Sequence, residues 1–415
     1  MEEEIVKNLD DPKQLEKLYR EDKTAFKRAF TLIYPDNMEK PVAQFWNERL
    51  NFEHEGISWG MNKELIFTIF AVIIAALLAE IPYIAQIEHD YFYPRNFALI
   101  VFPLMAAYFL WVQKIQSKTI IASVSVIIII SAVYINFLPK NPESHTLILA
   151  CIHLPLFLWT VLGFSFVSDN LKNYQRRLDF LRFNGDLIVM TTIILIAGAV
   201  LTGITIGLFS LIEINIEAFY LQHIVVCGLA ASPLVGTYLV YTNPHLVNKV
   251  SPVIAKVFTP LVLVTLVVYL LAIIGTGKDP YNDRDFLIVF NLLLVGVLAI
   301  IFFSIAETSK NAATRIEIIL LLALSLVTVI VNGIALSAIL YRITAWGITP
   351  NRLAVLGSNI LILTNILLVA FRLFKSIKNR NQIEYAERSI ASFLPVYGLW
   401  AFFVAFFFPL LFKFI

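Results

Sequence analysis

Trp346-Gly347-Ile348-Thr349-Pro350-Asn351-Arg352 is a short polar interruption between two long apolar runs of the sequence. Thr349 predicts a helix N-cap, Pro350 suits the first helical position, and Gly347 permits a tight turn before them. Trp346 is typical of a residue at a membrane interface. The stretch therefore predicts that one membrane helix ends here and the next begins.

The composition indicates a membrane protein. The chain has 415 residues, of which 59% are apolar and 15% charged, and its mean hydropathy is +0.77. Soluble domains are about half apolar and about a quarter charged, so both values favour a lipid environment. The net charge of +2 gives no sign of a nucleic-acid partner. We expect a small helical cytoplasmic segment at 1–62, followed by a membrane domain at 63–415.

Successive apolar runs predict an all-α, polytopic transmembrane helix bundle. A run of about 20 residues is long enough to cross a hydrocarbon core about 30 Å thick. We expect about eleven spans, and the short second run and the prolines around the seventh leave ten or twelve open. The predicted spans are 65–86, 96–112, 119–138, 146–167, 187–211, 218–240, 253–274, 285–306, 317–341, 353–374 and 393–412.

The distribution of lysine and arginine predicts the orientation. If the loops alternate between two sides, 17 of these residues lie near the membrane on one side and 7 on the other. Positive residues accumulate on the cytoplasmic side, so we expect the N-terminus in the cytoplasm and the C-terminus outside. The basic loops 168–185 and 375–392 are then cytoplasmic and are expected to meet anionic lipid headgroups. The loops 275–284 and 342–352 are expected outside.

Two amphipathic helices are predicted within residues 1–62. Asp11-Pro12 has the form of an N-cap followed by proline at the first helical position. Val42, Phe45, Trp46 and Leu50 share one face of the second helix. Such helices pack together, lie on the membrane surface or bind a cytoplasmic protein partner, and the sequence leaves these roles open.

Two polar stretches form a candidate outer-face site. Clustered carboxylates bind Mg²⁺ or Ca²⁺, and an arginine beside them binds phosphate. The spacing matches no dedicated metal loop, so the alternative is a turn in which an aspartate caps the next helix. The residues of this candidate site are Asp279, Tyr281, Asn282, Asp283, Arg284, Asp285, Asn351 and Arg352.

Polar residues inside the predicted spans are a second group of functional candidates. Burying charge in lipid is costly, so such groups are functional by default. Hydrogen bonds between helices are the alternative for asparagines, and packing is the alternative for histidines. Together these side chains would line an intramembrane polar path. They are Glu80, His153, His223, Asn359 and Asn365.

No sequence signature of a cofactor, nucleotide or metal site is present, and no motif predicts an enzyme. The two cysteines, Cys151 and Cys227, both lie in apolar runs, which is typical of packing residues.

The polar stretches resemble a bacterial family of polytopic membrane proteins known as domain of unknown function 4153. The resemblance is carried by Tyr281-Asn282-Asp283 and by Gly347-Ile348-Thr349-Pro350-Asn351-Arg352 leading into an apolar helix. It covers the chain from about residue 65 onward. The resemblance implies a location in the bacterial inner membrane and no established activity.

Three functions are compatible with the sequence. The first is a transporter-like or permease-like protein with the five intramembrane residues along its path. The second is an enzyme that acts on a lipid-linked or envelope substrate at the outer face. The third is a non-catalytic scaffold or sensor that recruits a cytoplasmic partner through residues 1–62. The many spans, the buried polar groups and the absence of a soluble catalytic domain favour the first.

Overall fold

The structure is a computed structural model. It describes the chain outside residues 1, 10, 22–25, 27–28, 31, 52–61, 142, 169–172, 212–213, 244–249, 277–280, 282–283, 311–313, 379–382 and 415. The side chains of 2–3, 21, 36, 51, 62, 211, 251, 272–276, 284–289 and 308–310 also lie outside the description. The chain divides into two compact units, Met1–Ser58 and Trp59–Ile415.

The first unit is a small helical unit with an aromatic core. Its helices are α1 Glu2–Lys7, α2 Pro12–Glu21 and α3 Pro41–Asn51, with a 3-10 turn at Tyr34–Asn37. The predicted N-cap is confirmed, because Asp11 Oδ1 accepts from the backbone nitrogens of Lys13 and Gln14 at 3.0 and 3.2 Å. Trp46 and Leu50 are buried, whereas Phe45 is 62% exposed, so Phe45 does not belong to the buried face of α3.

The second unit consists of helices throughout its described part. They are α4 Asn62–Ala79, α5 Ile81–Ile84, α6 His89–Val112, α7 Lys118–Phe137, α8 His145–Val167, α9 Tyr174–Leu211, α10 Glu217–Thr242, α11 Val250–Thr276, α12 Arg284–Lys310, α13 Arg315–Trp346, α14 Pro350–Ser376 and α15 Ile383–Leu411. Within the described residues, 10 of these helices are long and apolar enough to cross a membrane. The chain is therefore a multi-pass integral membrane protein with an all-α fold, as predicted.

The first predicted span, 65–86, is divided in the structure. Its helix α4 has 18 residues and ends at Ala79, and the short helix α5 follows after Glu80. Pro82 lacks an N–H and cannot continue the hydrogen-bond ladder of a preceding helix. At 1.5 Å per residue α4 is about 27 Å long, close to the thickness of a hydrocarbon core. α4 is therefore an apolar helix of similar length that stands beside the 10 counted above.

Contacts between helix ends fall on two opposite faces, as the predicted alternation requires. On one face, Lys140 lies 2.7 Å from Glu88 and Ser144 donates to the carbonyl of Phe414 at 3.0 Å. On the other face, Gln113 donates to the carbonyl of Phe166 at 2.8 Å. Each contact links two helix ends or loops that the predicted topology places on the same side of the membrane. These contacts agree with the predicted alternation for α6, α7, α8 and α15.

The buried residues of the membrane unit form two large clusters that meet at α9. One cluster joins α4, α6, α8 and α10 to Phe180 and Phe183 of α9. The other joins α12, α13, α14 and α15 to Leu178 and Leu181 of the same helix. Side chains two to three residues apart on α9 point in different directions. This helix therefore lies between the two halves of the bundle.

The basic loops predicted at 168–185 and 375–392 are largely helical, which is a correction. Residues from Tyr174 belong to α9, which has 38 residues, and residues from Ile383 belong to α15. A helix of 38 residues is about 57 Å long and extends beyond a hydrocarbon core. The charged residues therefore do not end the helices. They lie on extensions that pack against each other.

Glu16 generates a prediction about the first unit. Its carboxylate accepts from Arg20 at 2.8 Å and lies 2.7 Å from Arg49, and these hydrogen bonds, first that of Arg20, lower the pKa of Glu16. A lowered pKa contributes stability above the ordinary carboxyl range, which is lost as the pH falls through the lowered value. We expect Glu16→Gln to accelerate hydrogen exchange in α3 at neutral pH and to have no effect in acid. Hydrogen exchange with mass spectrometry on the full chain measures this, and an equal acceleration at both pH values would contradict it.

Candidate functional site

Glu80 and His223 form a direct ionisable pair although they lie 143 residues apart. His223 Nδ1 is 2.7 Å from Glu80 Oε2, and both side chains are largely shielded, with 28% and 19% exposure. Glu80 stands between α4 and α5, and His223 stands near the start of α10. The structure thus brings together two of the five residues predicted for the intramembrane path.

Both partners of the pair lie where a helix is irregular. Glu80 occupies the break between α4 and α5, and its N–H still bonds to the carbonyl of Ala76 at 3.0 Å. His223 lies within a π-helical turn, Tyr220–Val225, at the beginning of α10. Such turns have a wider hydrogen-bond ladder and occur frequently at functional sites. The pair therefore connects two local departures from regular helix.

Aromatic rings and a thiol surround the pair. The rings of Tyr83 and Phe219 lie 4.4 and 4.9 Å from the imidazole of His223, measured between centroids. Cys227 Sγ lies 3.5 Å from Glu80 Oε1, one helical turn beyond His223. The sequence assigned Cys227 to packing, and its side chain instead lies beside the carboxylate. The spacing of His223 and Cys227, four residues on one helix face, was the signal that could have joined them.

Two of the other three predicted path residues make contacts elsewhere in the bundle. His153 Nδ1 bonds to the carbonyl of Leu149 in its own helix at 2.9 Å, as the packing alternative predicts. Asn365 donates from Nδ2 to the hydroxyl of Tyr397 at 3.1 Å. Within the described part of the chain, neither residue hydrogen-bonds to Glu80 or His223. A continuous path through all five residues stays a prediction.

Three asparagines of α13 and α14 bury amide atoms that have no hydrogen-bond partner among the described residues. They are Asn332, with both amide atoms, Asn359, with Nδ2, and Asn365, with Oδ1. Each side chain is at most 1% exposed. Asn332 precedes the α13–α14 turn by about 21 Å of helix and Asn365 follows it by about 23 Å, so the two lie at nearly equal depth. The described structure therefore holds costly polar groups near the middle of two membrane helices.

The turn between α13 and α14 is closed by the residues with which the sequence opens. Gly347 has φ +77°, a conformation that glycine adopts without strain. Thr349 accepts from the backbone nitrogen of Arg352 at 3.3 Å, and Pro350 begins α14, which confirms the predicted cap. Arg352 Nη1 donates to the carbonyls of Trp346 and Gly347 at 2.8 and 2.7 Å. Arg352 is thereby explained as a clamp on the carbonyl end of α13.

Three residues of the predicted outer-face site, Tyr281, Asn351 and Arg352, have described side chains. Asp279, Asn282 and Asp283 lie outside the described residues, as do the side chains of Arg284 and Asp285. Of the described members, Tyr281 contacts Tyr341 with ring centroids 5.6 Å apart, and Tyr341 contacts Trp346 at 6.1 Å. Asn351 contacts His145 at 3.1 Å. The two polar stretches therefore lie at the same end of the bundle, where the ring of Tyr341 contacts both Tyr281 and Trp346. A carboxylate–Arg352 pocket stays a prediction.

A buried charge network, which the sequence reasoning missed, joins α9 to α12 and α15. Arg182 donates to Glu387 Oε1 at 3.2 Å, to Asp179 Oδ1 at 3.0 Å and to the carbonyl of Ala306 at 2.9 Å. Glu387 is 3% exposed. The Asp179–Arg182 and Glu384–Arg388 spacings of three and four residues are typical of helix and were the available signal. These residues had been assigned to loops.

The same network limits the headgroup role predicted for the two basic segments. Arg177 donates to the carbonyl of Ala391 at 3.1 Å, and Arg388 lies 2.8 Å from Glu384, which also accepts from Tyr174. These arginines contact protein groups at the meeting of the two helix extensions. Binding of anionic headgroups by the other basic residues of the segments stays a prediction.

Arg95 is a second arginine whose role the sequence did not reveal. It is 4% exposed and donates to the carbonyls of Ile135 and Pro139, both at 3.2 Å, near the end of α7. The ring of Tyr91 lies 4.1 Å from its guanidinium. Helix ends leave carbonyls without partners, and cations there also meet the negative end of the helix dipole. Helix α6 begins at His89, so Arg95 lies inside this helix, whereas the predicted span began at residue 96.

Two cavities accompany these sites. A groove of about 270 Å³ in the first unit is lined by Pro12, Glu16, Pro41, Val42, Phe45, Trp46 and Arg49. A void of about 10 Å³ lies among α4, α6 and α10, and none of the five predicted path residues lines it.

Among the described residues, no group of three or more His, Cys, Asp or Glu side chains is arranged to hold a metal ion. Partner binding through residues 1–62 stays a prediction.

Comparisons with protein families, with characterised proteins and with solved structures find no match to this chain.

The clamp at Arg352 generates a stability prediction. We expect Arg352→Gln to lower the free energy of unfolding by about 1–3 kcal/mol, because two charge-assisted hydrogen bonds to carbonyls are lost. Unfolding by sodium dodecyl sulfate in mixed micelles measures this. Arg315→Gln, at the exposed opposite end of α13, is the control and should change stability by less than about 0.5 kcal/mol. Equal losses in both variants would remove the clamp as the explanation.

The network at Arg182 generates a second stability prediction, with a larger expected loss than that of Arg352→Gln. Arg182→Met removes a guanidinium partner from the buried carboxylate of Glu387, and we expect the free energy of unfolding to fall by about 3–5 kcal/mol in the same assay. Adding Glu387→Leu should recover part of the loss, because an apolar pair no longer buries a charge. The exposed neighbour Arg176 supplies the control variant Arg176→Met. Wild-type stability in Arg182→Met would show that the network does not hold the helices together.

Proposed function

We propose that this chain is a transporter-like or permease-like protein. The observation that carries the proposal is the set of buried, unpaired amide atoms of Asn332, Asn359 and Asn365 in the α13–α14 hairpin. A leucine at any of these positions would avoid the penalty, which is about 1–3 kcal/mol for each unpaired buried group. Polar groups retained inside membrane helices mark solute and ion pathways by default.

The position of these amides suits a transport site. Transporters bind their substrates near the bilayer midplane, between helices. Asn332 and Asn365 are each near the middle of a long helix, and Val331 and Ile366 beside them belong to one buried cluster. An amide both donates and accepts hydrogen bonds and carries no charge. This chemistry fits a small polar solute whose own hydrogen bonds replace those of water.

We propose further that the protein lies in the bacterial cytoplasmic membrane with its N-terminus in the cytoplasm. The excess of lysine and arginine on one side, 17 against 7, supports this orientation. The resemblance to domain of unknown function 4153 supports the location, and membership of that family is part of the proposal.

The geometry favours transport over catalysis at the outer face. The enzyme hypothesis needs Arg352 to hold a phosphate, and Nη1 of Arg352 already donates to two carbonyls of the α13–α14 turn. The carboxylates that the enzyme hypothesis requires, Asp279, Asp283 and Asp285, lie outside the described side chains. Transport requires no reacting group, and the observed buried amides supply what it needs.

The asparagines provide the test. Purified protein in proteoliposomes is incubated with a defined mixture of amino acids, sugars, nucleosides and inorganic salts, and the contents are measured by mass spectrometry. We expect at least one component to accumulate above protein-free liposomes. Asn332→Leu and Asn365→Leu should lower that accumulation roughly tenfold, equivalent to about 1.4 kcal/mol of lost interaction.

Stability separates this role from packing. Asn332→Leu should stabilise the protein by about 1–3 kcal/mol, since it removes unpaired amide atoms. Asn136, which exchanges amide hydrogen bonds with Asn96 at 2.8 and 2.9 Å, is the matched control. Asn136→Leu should destabilise the protein. Failure of every component to accumulate, or a loss of stability in Asn332→Leu, would overturn the proposal.

A further inference from the structure

We propose that the Glu80–His223 pair is a proton-binding site that links the broken first span to the π-helical turn of α10. The site is built from groups already in place: the carboxylate, the imidazole and two aromatic rings. It is separate from the asparagines of α13 and α14 and does not depend on solute transport. Its ligand is the proton itself.

The contact between the partners fixes which nitrogen takes the proton. His223 Nδ1 lies 2.7 Å from Glu80 Oε2, so Nδ1 carries a hydrogen and donates it to the carboxylate. In neutral imidazole the other nitrogen, Nε2, then has a free electron pair. A proton from water adds to Nε2 and gives the imidazolium, while the Nδ1–H bond to Glu80 remains. The charge of the pair changes from −1 to 0, and no other bond breaks.

The surroundings can hold the positive charge that the proton brings. The Glu80 carboxylate neutralises it from one side. The rings of Tyr83 and Phe219 lie 4.4 and 4.9 Å from the imidazole, within the range of cation–π contacts. In the described part of the chain, no lysine or arginine forms an ion pair with Glu80. A proton is therefore the available positive partner.

The other titratable groups near the pair are neutral acids and one histidine. Tyr83 comes from α5, Cys227 from α10, and His89 and Tyr93 from α6. Tyr93 donates its hydroxyl to the carbonyl of Ala79, the last residue of α4. His89 lies 4.7 Å from Tyr83, which separates it from His223. Glu80 is the carboxylate among these groups, so proton uptake is expected at His223.

The position of the pair gives proton binding a structural consequence. Glu80 stands at the end of α4, and His223 stands in the only turn of α10 with π-helical hydrogen bonding in the described structure. An ion pair with imidazolium binds the two elements more strongly than a hydrogen bond from neutral imidazole. Proton uptake should therefore tighten the outer end of α4 against α10, and release should loosen it.

Charge movement after a pH jump tests the proposal without any solute. Proteoliposomes of the full chain are adsorbed on a solid-supported membrane, and the bath is stepped from about pH 7.5 to about pH 5.5, across the range of histidine titration. We expect a transient current in the wild type and none in protein-free liposomes. His223→Gln should abolish it. Glu80→Gln should reduce its amplitude, because a neutral amide does not balance the charge of the imidazolium.

His153→Gln is the matched control, since His153 bonds within its own helix. It should keep the current at its wild-type amplitude. Size-exclusion profiles and unfolding curves establish that each variant is folded, and infrared difference spectra of the wild type report imidazole protonation independently of any variant. An unchanged current in folded His223→Gln, an equal loss in His153→Gln, or no imidazole band on acidification would overturn the proposal. Solute accumulation can fail while this current persists, so the two proposals stand or fall separately.

Discussion

The hydrocarbon core offers no water, so every polar group within it must find a partner inside the protein. This constraint explains the two arginines that close helix ends. Arg95 donates to carbonyls near the end of α7, and Arg352 donates to carbonyls at the end of α13. Both helices end on the same face, and each arginine comes from the helix adjacent in sequence. The bundle therefore satisfies its terminal carbonyls with side chains, and these contacts set how the hairpins turn.

The same constraint explains why the charged residues at the opposite face of the membrane are paired with one another. α9 and α15 extend beyond the length that a bilayer needs, and their extensions meet through Arg182, Glu387 and Arg177. Burying one of these charges alone would be costly, and pairing makes the burial tolerable. α9 also contributes to both large buried clusters. The network thus stands where the two halves of the bundle share one helix.

Function is best sought where the constraint is not met by packing alone. The amides of Asn332, Asn359 and Asn365 lack partners among the described residues, and Glu80 and His223 place an ionisable pair at two helix irregularities. These residues are distinct from those of the clamps and of the charge network. They also differ from each other in chemistry, since the amides are neutral hydrogen-bonding groups and the pair is ionisable.

The sequence by itself determined the all-α fold and the succession of long apolar helices, because length and hydropathy are local properties that lipid imposes. It also determined the cap at Thr349-Pro350, which depends on adjacent residues. It identified Glu80 and His223 as two of five candidates for one intramembrane polar path. Only the tertiary structure decided that they meet, that Arg352 is a clamp, and that Arg182 and Glu387 are buried together. Those facts depend on residues far apart in the chain, and hydropathy cannot distinguish a charge in water from one that is paired inside the protein.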